Sequence, residues 1–210
     1  MKPAKPALFV ACALPLAWLA ARTFGVAGHG LGANPISELI HQLGLWGLRL
    51  LLVTLCVSPL AVTLRKPKLM QLRRMLGLWS FTYLALHFLT WLVLDQSLRP
   101  AAIIADIVKR PYITVGFSAL LMLIPLAVTS TRRWMQRLGR RWHTLHRLIY
   151  PAAVLGCWHF WWQVKADWRE PLVYSAVLAG LLAWRWRRSR AQRPATGPSR
   201  VVLTKAGSEA

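Results

Sequence analysis

Apolar runs of about twenty residues, broken by short clusters of arginine and lysine, fill most of this chain, and that alternation leaves few folds open. A run of this length crosses the hydrocarbon core of a bilayer as a helix. The runs fall at about 8–27, 43–64, 76–95, 113–130, 147–165 and 171–186. Pro15, Pro59, Pro125 and Pro151 lie inside them, which membrane helices tolerate. The expected fold is all-α: a polytopic bundle of six transmembrane helices.

A chain that is 56% hydrophobic yet carries a net charge of +21 needs its charges located before they are interpreted. A soluble nucleic-acid binder would spread them along amphipathic surfaces; here they sit between the apolar runs, so DNA or RNA is not an expected partner. Segments 1–7, 65–75, 131–147 and 185–210 carry 2, 5, 6 and 7 basic residues, opposed only by Glu209. The alternate loops hold Arg99, Lys109, Arg110, Lys165 and Arg169 against five acidic residues. Basic loops stay in the cytoplasm, so both termini are expected there. The expected organisation is a cytoplasmic N-terminus at 1–7, a helical domain at 8–186 and a disordered basic tail at 187–210 suited to anionic lipid. The first run reads as an uncleaved helix rather than a signal peptide. Cys12, Cys56 and Cys157 fall within runs without any Cys-x-x-Cys, which argues against a disulfide or zinc centre. No internal repeat is evident.

Histidines are costly in such runs and so mark function. His87 lies about eleven residues into the third run and His159 about twelve into the fifth, and the two runs point the same way. Both imidazoles therefore sit roughly 16 Å deep, in the outer half of the membrane. Two neutral imidazoles at one level between helices can ligate a haem iron from opposite faces. Arg49, at nearly that depth, needs a counter-charge that a haem propionate would supply. His146 lies about 20 Å nearer the cytoplasm than His159, beside Arg73 and Arg74, a place for a second cofactor. Thirteen helical residues turn through about 1300°, leaving His146 and His159 some 140° apart unless Pro151 rewinds the helix. His41, at the periplasmic start of the second run, is a candidate quinone or partner contact. His143 reads as interfacial and His29 as a loop residue.

Four stretches carry a resemblance: "LGANPISELIHQLGLWGLRLLLVTLCVSPLA", "RRMLGLWSFTYLALHFLTW", "KRPYITVGFSALLMLIPLAVTST" and "LGRRWHTLHRLIYPAAVLGCWHFWWQVK". In order and spacing they resemble the MsrQ (YedZ) family, placed with the ferric-reductase-like transmembrane domains. The resemblance implies a six-helix b-type cytochrome with its histidines at His87, His146 and His159. It implies FMN as a further cofactor, and the quinone pool or a cytosolic flavin reductase as electron source. It implies the periplasmic molybdopterin protein MsrP as the partner on which sulfoxide reduction occurs, repairing oxidised periplasmic proteins. Related oxidases carry a second histidine on helix 3 where this chain has Arg74 or its neighbours, so one haem b is expected and a second would need an unusual ligand. The chain has no Gly-rich phosphate loop and is not expected to oxidise a nicotinamide itself. Two rival readings stand beside this one. A histidine-relay proton channel or small transporter would be colourless, and a non-redox anchor would tolerate loss of the histidines.

Overall fold

The computed structural model describes residues 4–26, 30–164 and 167–191. His29, Lys165 and the tail beyond Ala191 lie outside the described residues. Among the described residues every regular element is helical. The elements are α1 (Ala4–Thr23), α2 (Pro35–Thr63), α3 (Met70–Thr90), α4 (Pro100–Lys109), α5 (Pro111–Val128), α6 (Arg132–Leu138), α7 (Arg140–Leu145), α8 (Ile149–Gln163) and α9 (Arg169–Ala191). A 3₁₀ turn precedes α3, a five-residue π-helical segment (Trp91–Asp95) extends it, and a second 3₁₀ turn (His146–Leu148) leads into α8.

Each apolar run holds one long helix. Among the described residues four segments are long and apolar enough to cross a membrane: Lys5–Thr23, Pro35–Thr63, Pro67–Asp95 and Pro111–Val128. α8 is shorter, at 15 residues, and the last turn of α9 is basic. The largest boundary shift is at α2, which starts at Pro35 rather than near residue 43. Asn34 caps it by accepting from the Ser37 N–H, Pro35 occupies the first turn, and Glu38 faces the positive end of the helix dipole. Its first two turns are polar, so hydropathy alone starts the helix late. α9 continues to Ala191, a few residues into the segment read from sequence as disordered. The helices α4, α6 and α7 were read simply as loops.

α2 is the central helix, with eleven buried residues spread around its circumference. One apolar cluster joins it to α1 and α3 through Cys12, Leu19, Leu43, Leu50, Leu76 and Tyr83. The other joins it to α5, α8 and α9 through Leu48, Leu52, Leu123, Ala153 and Leu178. Small residues let α3 approach closely: the Ser80 hydroxyl donates to the Gly47 carbonyl at 2.8 Å, and a Cβ on Gly47 would lie 2.6 Å from Leu84. Tyr83 is fully buried and ties α1 to this pair, its hydroxyl donating to the Cys12 carbonyl at 2.8 Å.

A candidate cofactor site between two helix pairs

α3 lies along α2 and α8 along α5, and each pair presents one histidine to the space between them. The His87 and His159 ring centroids are 6.1 Å apart, with ring planes inclined at 81°. His87 Nδ1 lies 2.8 Å from the Ile40 carbonyl, and His159 Nδ1 lies 2.7 Å from the Tyr112 carbonyl. A carbonyl oxygen only accepts, so in both rings Nδ1 is the protonated nitrogen and donates. Nε2 of each is left with its lone pair, the form in which imidazole ligates a metal.

The two halves repeat one another. One turn beyond each accepting carbonyl is a glycine against which the ring rests. A Cβ on Gly44 would come within 3.0 Å of His87 Nδ1, and one on Gly116 within 2.7 Å of His159 Nδ1. Carbonyl and histidine are separated by 47 residues in both halves. Ile40, Gly44 and His87 thus recur as Tyr112, Gly116 and His159, a shift of 72 residues (159 against 87). The sequence hides this repeat because Ile40 and Tyr112 contribute only backbone, and the flanking side chains differ.

Both rings line a cavity of about 450 Å³ bounded by α2, α3, α5 and α8. That is within the usual range for cofactor sites. Its deep walls are apolar, with Leu48, Leu51, Leu123 and Ala152, and Phe88 stacks on Phe117 across one side at 5.4 Å. One end is polar: Ser37, Glu38, His41, Asp95, Arg110 and Gln163 all reach it. There Arg110 pairs with Asp106 at 3.0 Å and donates to the Tyr112 hydroxyl at 3.4 Å. The Tyr112 hydrogen bond first, and the nearby Asp106 carboxylate after it, raise the Arg110 guanidinium above its ordinary value, so it is cationic at every working pH.

The other residues marked by sequence are distributed as follows. His41 lines the cavity and lies 6.4 Å from the Phe160 ring. Arg49 does not line it; its Nε–H donates to the Tyr174 hydroxyl at 2.7 Å and its guanidinium lies over Trp46. His146 is also away from the cavity. It stacks on Trp142 at 3.8 Å, Nδ1 donates to the Trp142 carbonyl at 3.1 Å, and its buried Nε2 has no partner. The change in winding near Pro151 comes at the 3₁₀ turn just before it, and it does not turn His146 into the site. Arg73 is half-buried, Arg74 and His143 are exposed, and none of the three lines the cavity. Sequence reasoning missed Gly44, Gly116 and Arg110. Only Arg110 left a signal, a cation one residue before a proline that opens α5.

Whether the donor set fits a haem is a matter of distance. Metal–nitrogen bonds of about 2.0 Å, with roughly 1.1 Å more from nitrogen to ring centre, put trans imidazole centroids about 6.2 Å apart. The observed 6.1 Å leaves room for one iron between the rings. The polar end holds Arg110, suited to propionates, and the apolar walls suit a macrocycle.

The family described as "Ferric reductase like transmembrane component" matches residues 43–157, which span α3 and α5 whole and most of α2 and α8, ending two residues before His159. A protein of Xanthomonas campestris pv. campestris, named a protein-methionine-sulfoxide reductase heme-binding subunit MsrQ, is 49% identical over 194 residues, covering 90% of this chain and 89% of its own. Its namesake from Xanthomonas oryzae pv. oryzae is 46% identical over the same coverage. The one from Caulobacter vibrioides is 49% identical over 185 residues, 87% of each chain. No solved structure matches. On this footing the chain belongs to the MsrQ family of ferric-reductase-like transmembrane components.

Proposed function

We propose that this protein is the haem-binding subunit of a methionine sulfoxide reductase system and carries electrons across the bacterial inner membrane to a periplasmic partner of the MsrP kind. The observation that carries the reading is the His87–His159 pair, its centroids 6.1 Å apart and both Nδ1 atoms committed to carbonyls. Bound between them, a b-type haem would supply a one-electron couple of low reorganisation cost. The relatives' names, which specify a heme-binding subunit, support the same cofactor.

In this reading His87 and His159 are the residues that would hold the haem iron, each through Nε2. Ile40 and Tyr112 hold the tautomer that makes this possible. Leu48, Leu51 and Leu123 line the deep half of the site and would keep water from it, and Arg110 and His41 at the polar end would hold the propionates. Arg49 acts through the α2–α9 contact. On the cytoplasmic side His146, with its unpartnered Nε2, and the arginines at 73 and 74 are the residues for a second haem or FMN. Electrons would arrive there from the quinone pool or a cytosolic flavin reductase. The basic loops support six crossings with both termini in the cytoplasm, α8 and α9 supplying the two spans beyond the four apolar ones. A proton relay is disfavoured because the two cavity rings give Nδ1 to backbone carbonyls rather than to carboxylates.

The test is reoxidation. The purified protein, loaded with haem and reduced by dithionite, is mixed with MsrP and then with methionine sulfoxide. With excess dithionite removed, catalytic MsrP alone should oxidise no more than its own equivalent of haem, and the reduced absorption bands should decay fully once methionine sulfoxide is added. Bands that persist with both present would remove the electron-transfer reading.

A further inference from the structure

The repeated arrangement around the two histidines does more than choose a tautomer. Each ring is constrained twice: by the hydrogen bond from Nδ1, and by contact of its Nδ1–Cε1 edge with a glycine whose missing Cβ leaves just enough space. Two such constraints fix rotation of the ring about its bond to the chain, which a hydrogen bond alone would leave loose. The fixed orientations differ by 81° between the two rings. The geometry points to Gly44 and Gly116, with the carbonyls of Ile40 and Tyr112, as positioning elements that hold the two imidazoles at right angles and thereby set the electronic state of an iron between them.

The inference rests on the ligation proposed for His87 and His159, and it adds a property that ligation alone does not require. Imidazole planes bond in π fashion with the iron orbitals perpendicular to them. Parallel planes separate two of those orbitals in energy and give a rhombic low-spin ferric signal. Perpendicular planes leave the two nearly degenerate and give a near-axial signal with a large leading g value. A methyl group on Gly116 would meet His159 at 2.7 Å, closer than a ring tolerates, and one on Gly44 would meet His87 at 3.0 Å, so the first ring must turn more than the second.

Low-temperature electron paramagnetic resonance of the oxidised, haem-loaded protein tests this. The wild type should show the near-axial signal. Gly116→Ala should shift it toward rhombic or replace part of it with high-spin iron, and Gly44→Ala should do so to a smaller extent. Gly77→Ala is the control, since its Cβ would make only an ordinary 3.6 Å contact with Thr54; its signal should match the wild type. A rhombic wild-type signal overturns the inference while leaving the ligation intact, and so do alanine variants that keep haem and the wild-type signal. Should Gly116→Ala fail to accumulate, the wild-type signal and Gly44→Ala decide. A wild type without any low-spin haem would instead overturn the ligation itself, and the inference with it.

Discussion

Arg49 and Arg110 carry the same charge and do different work. Arg49 is bound by a Tyr174 hydroxyl 125 residues away, joining α2 to α9. Tyr174→Phe leaves that guanidinium half-buried with an unmet donor. It should lower stability by about 1–3 kcal/mol in thermal unfolding in detergent, with the haem spectrum unchanged. Arg110 instead sits at the polar end of the histidine cavity. Reduction adds an electron to the iron, so a nearby cation favours the reduced state. Arg110→Gln should therefore lower the midpoint potential in a redox titration, by on the order of 1 kcal/mol or less because the side chain is exposed. A residue's chemistry was legible here where its address was not. An arginine at membrane depth announces that it needs a partner, but the facing helix, and hence the choice between Tyr174 and a propionate, depends on helix rotation. Gly44 and Gly116 gave no signal because a glycine in an apolar run is ordinary in membrane helices, and their role exists only against rings 43 residues downstream.

Helices α2 and α3 meet closely because Gly47 leaves room for Leu84, whose side chain also lines the cavity. Gly47→Ala should force the pair apart or turn Leu84 off its rotamer, costing about 1–3 kcal/mol. Thermal unfolding would register the loss and a shifted Soret maximum the disturbed cavity. The long helices were plain from the apolar runs, each of which holds one, whereas the short α4, α6 and α7 lie in the polar connections, where hydropathy gives no signal. Boundaries were less so, because the N-terminal turns of α2 are polar and its start is set by the Asn34 cap rather than by hydropathy. The matching depth of His87 and His159 followed from counting helical rises. An ideal helix would set His146 some 140° from His159; in the structure a 3₁₀ turn separates His146 from α8, and that residue faces Trp142 and not the cavity.

At the centre of the molecule the α2–α3 pair faces the α5–α8 pair, with α1 and α9 packed against α2, and each pair presents one histidine to the other. The orientation proposed from the loop charges, with the basic loops in the cytoplasm, can be tested directly. A membrane-impermeant thiol reagent applied to intact spheroplasts should modify a cysteine introduced at Ser97 and spare one introduced at Arg137; the reverse pattern would invert the topology. The central claim is that His87 and His159 take one iron between them. The dithionite-reduced minus oxidised absorption spectrum of the purified wild type, set beside His87→Ala, His159→Ala and the double variant, tests it most directly. The account predicts sharp low-spin bands in the wild type that are lost in each single variant, and no ordered haem in the double variant. Wild-type bands persisting in the double variant would contradict it.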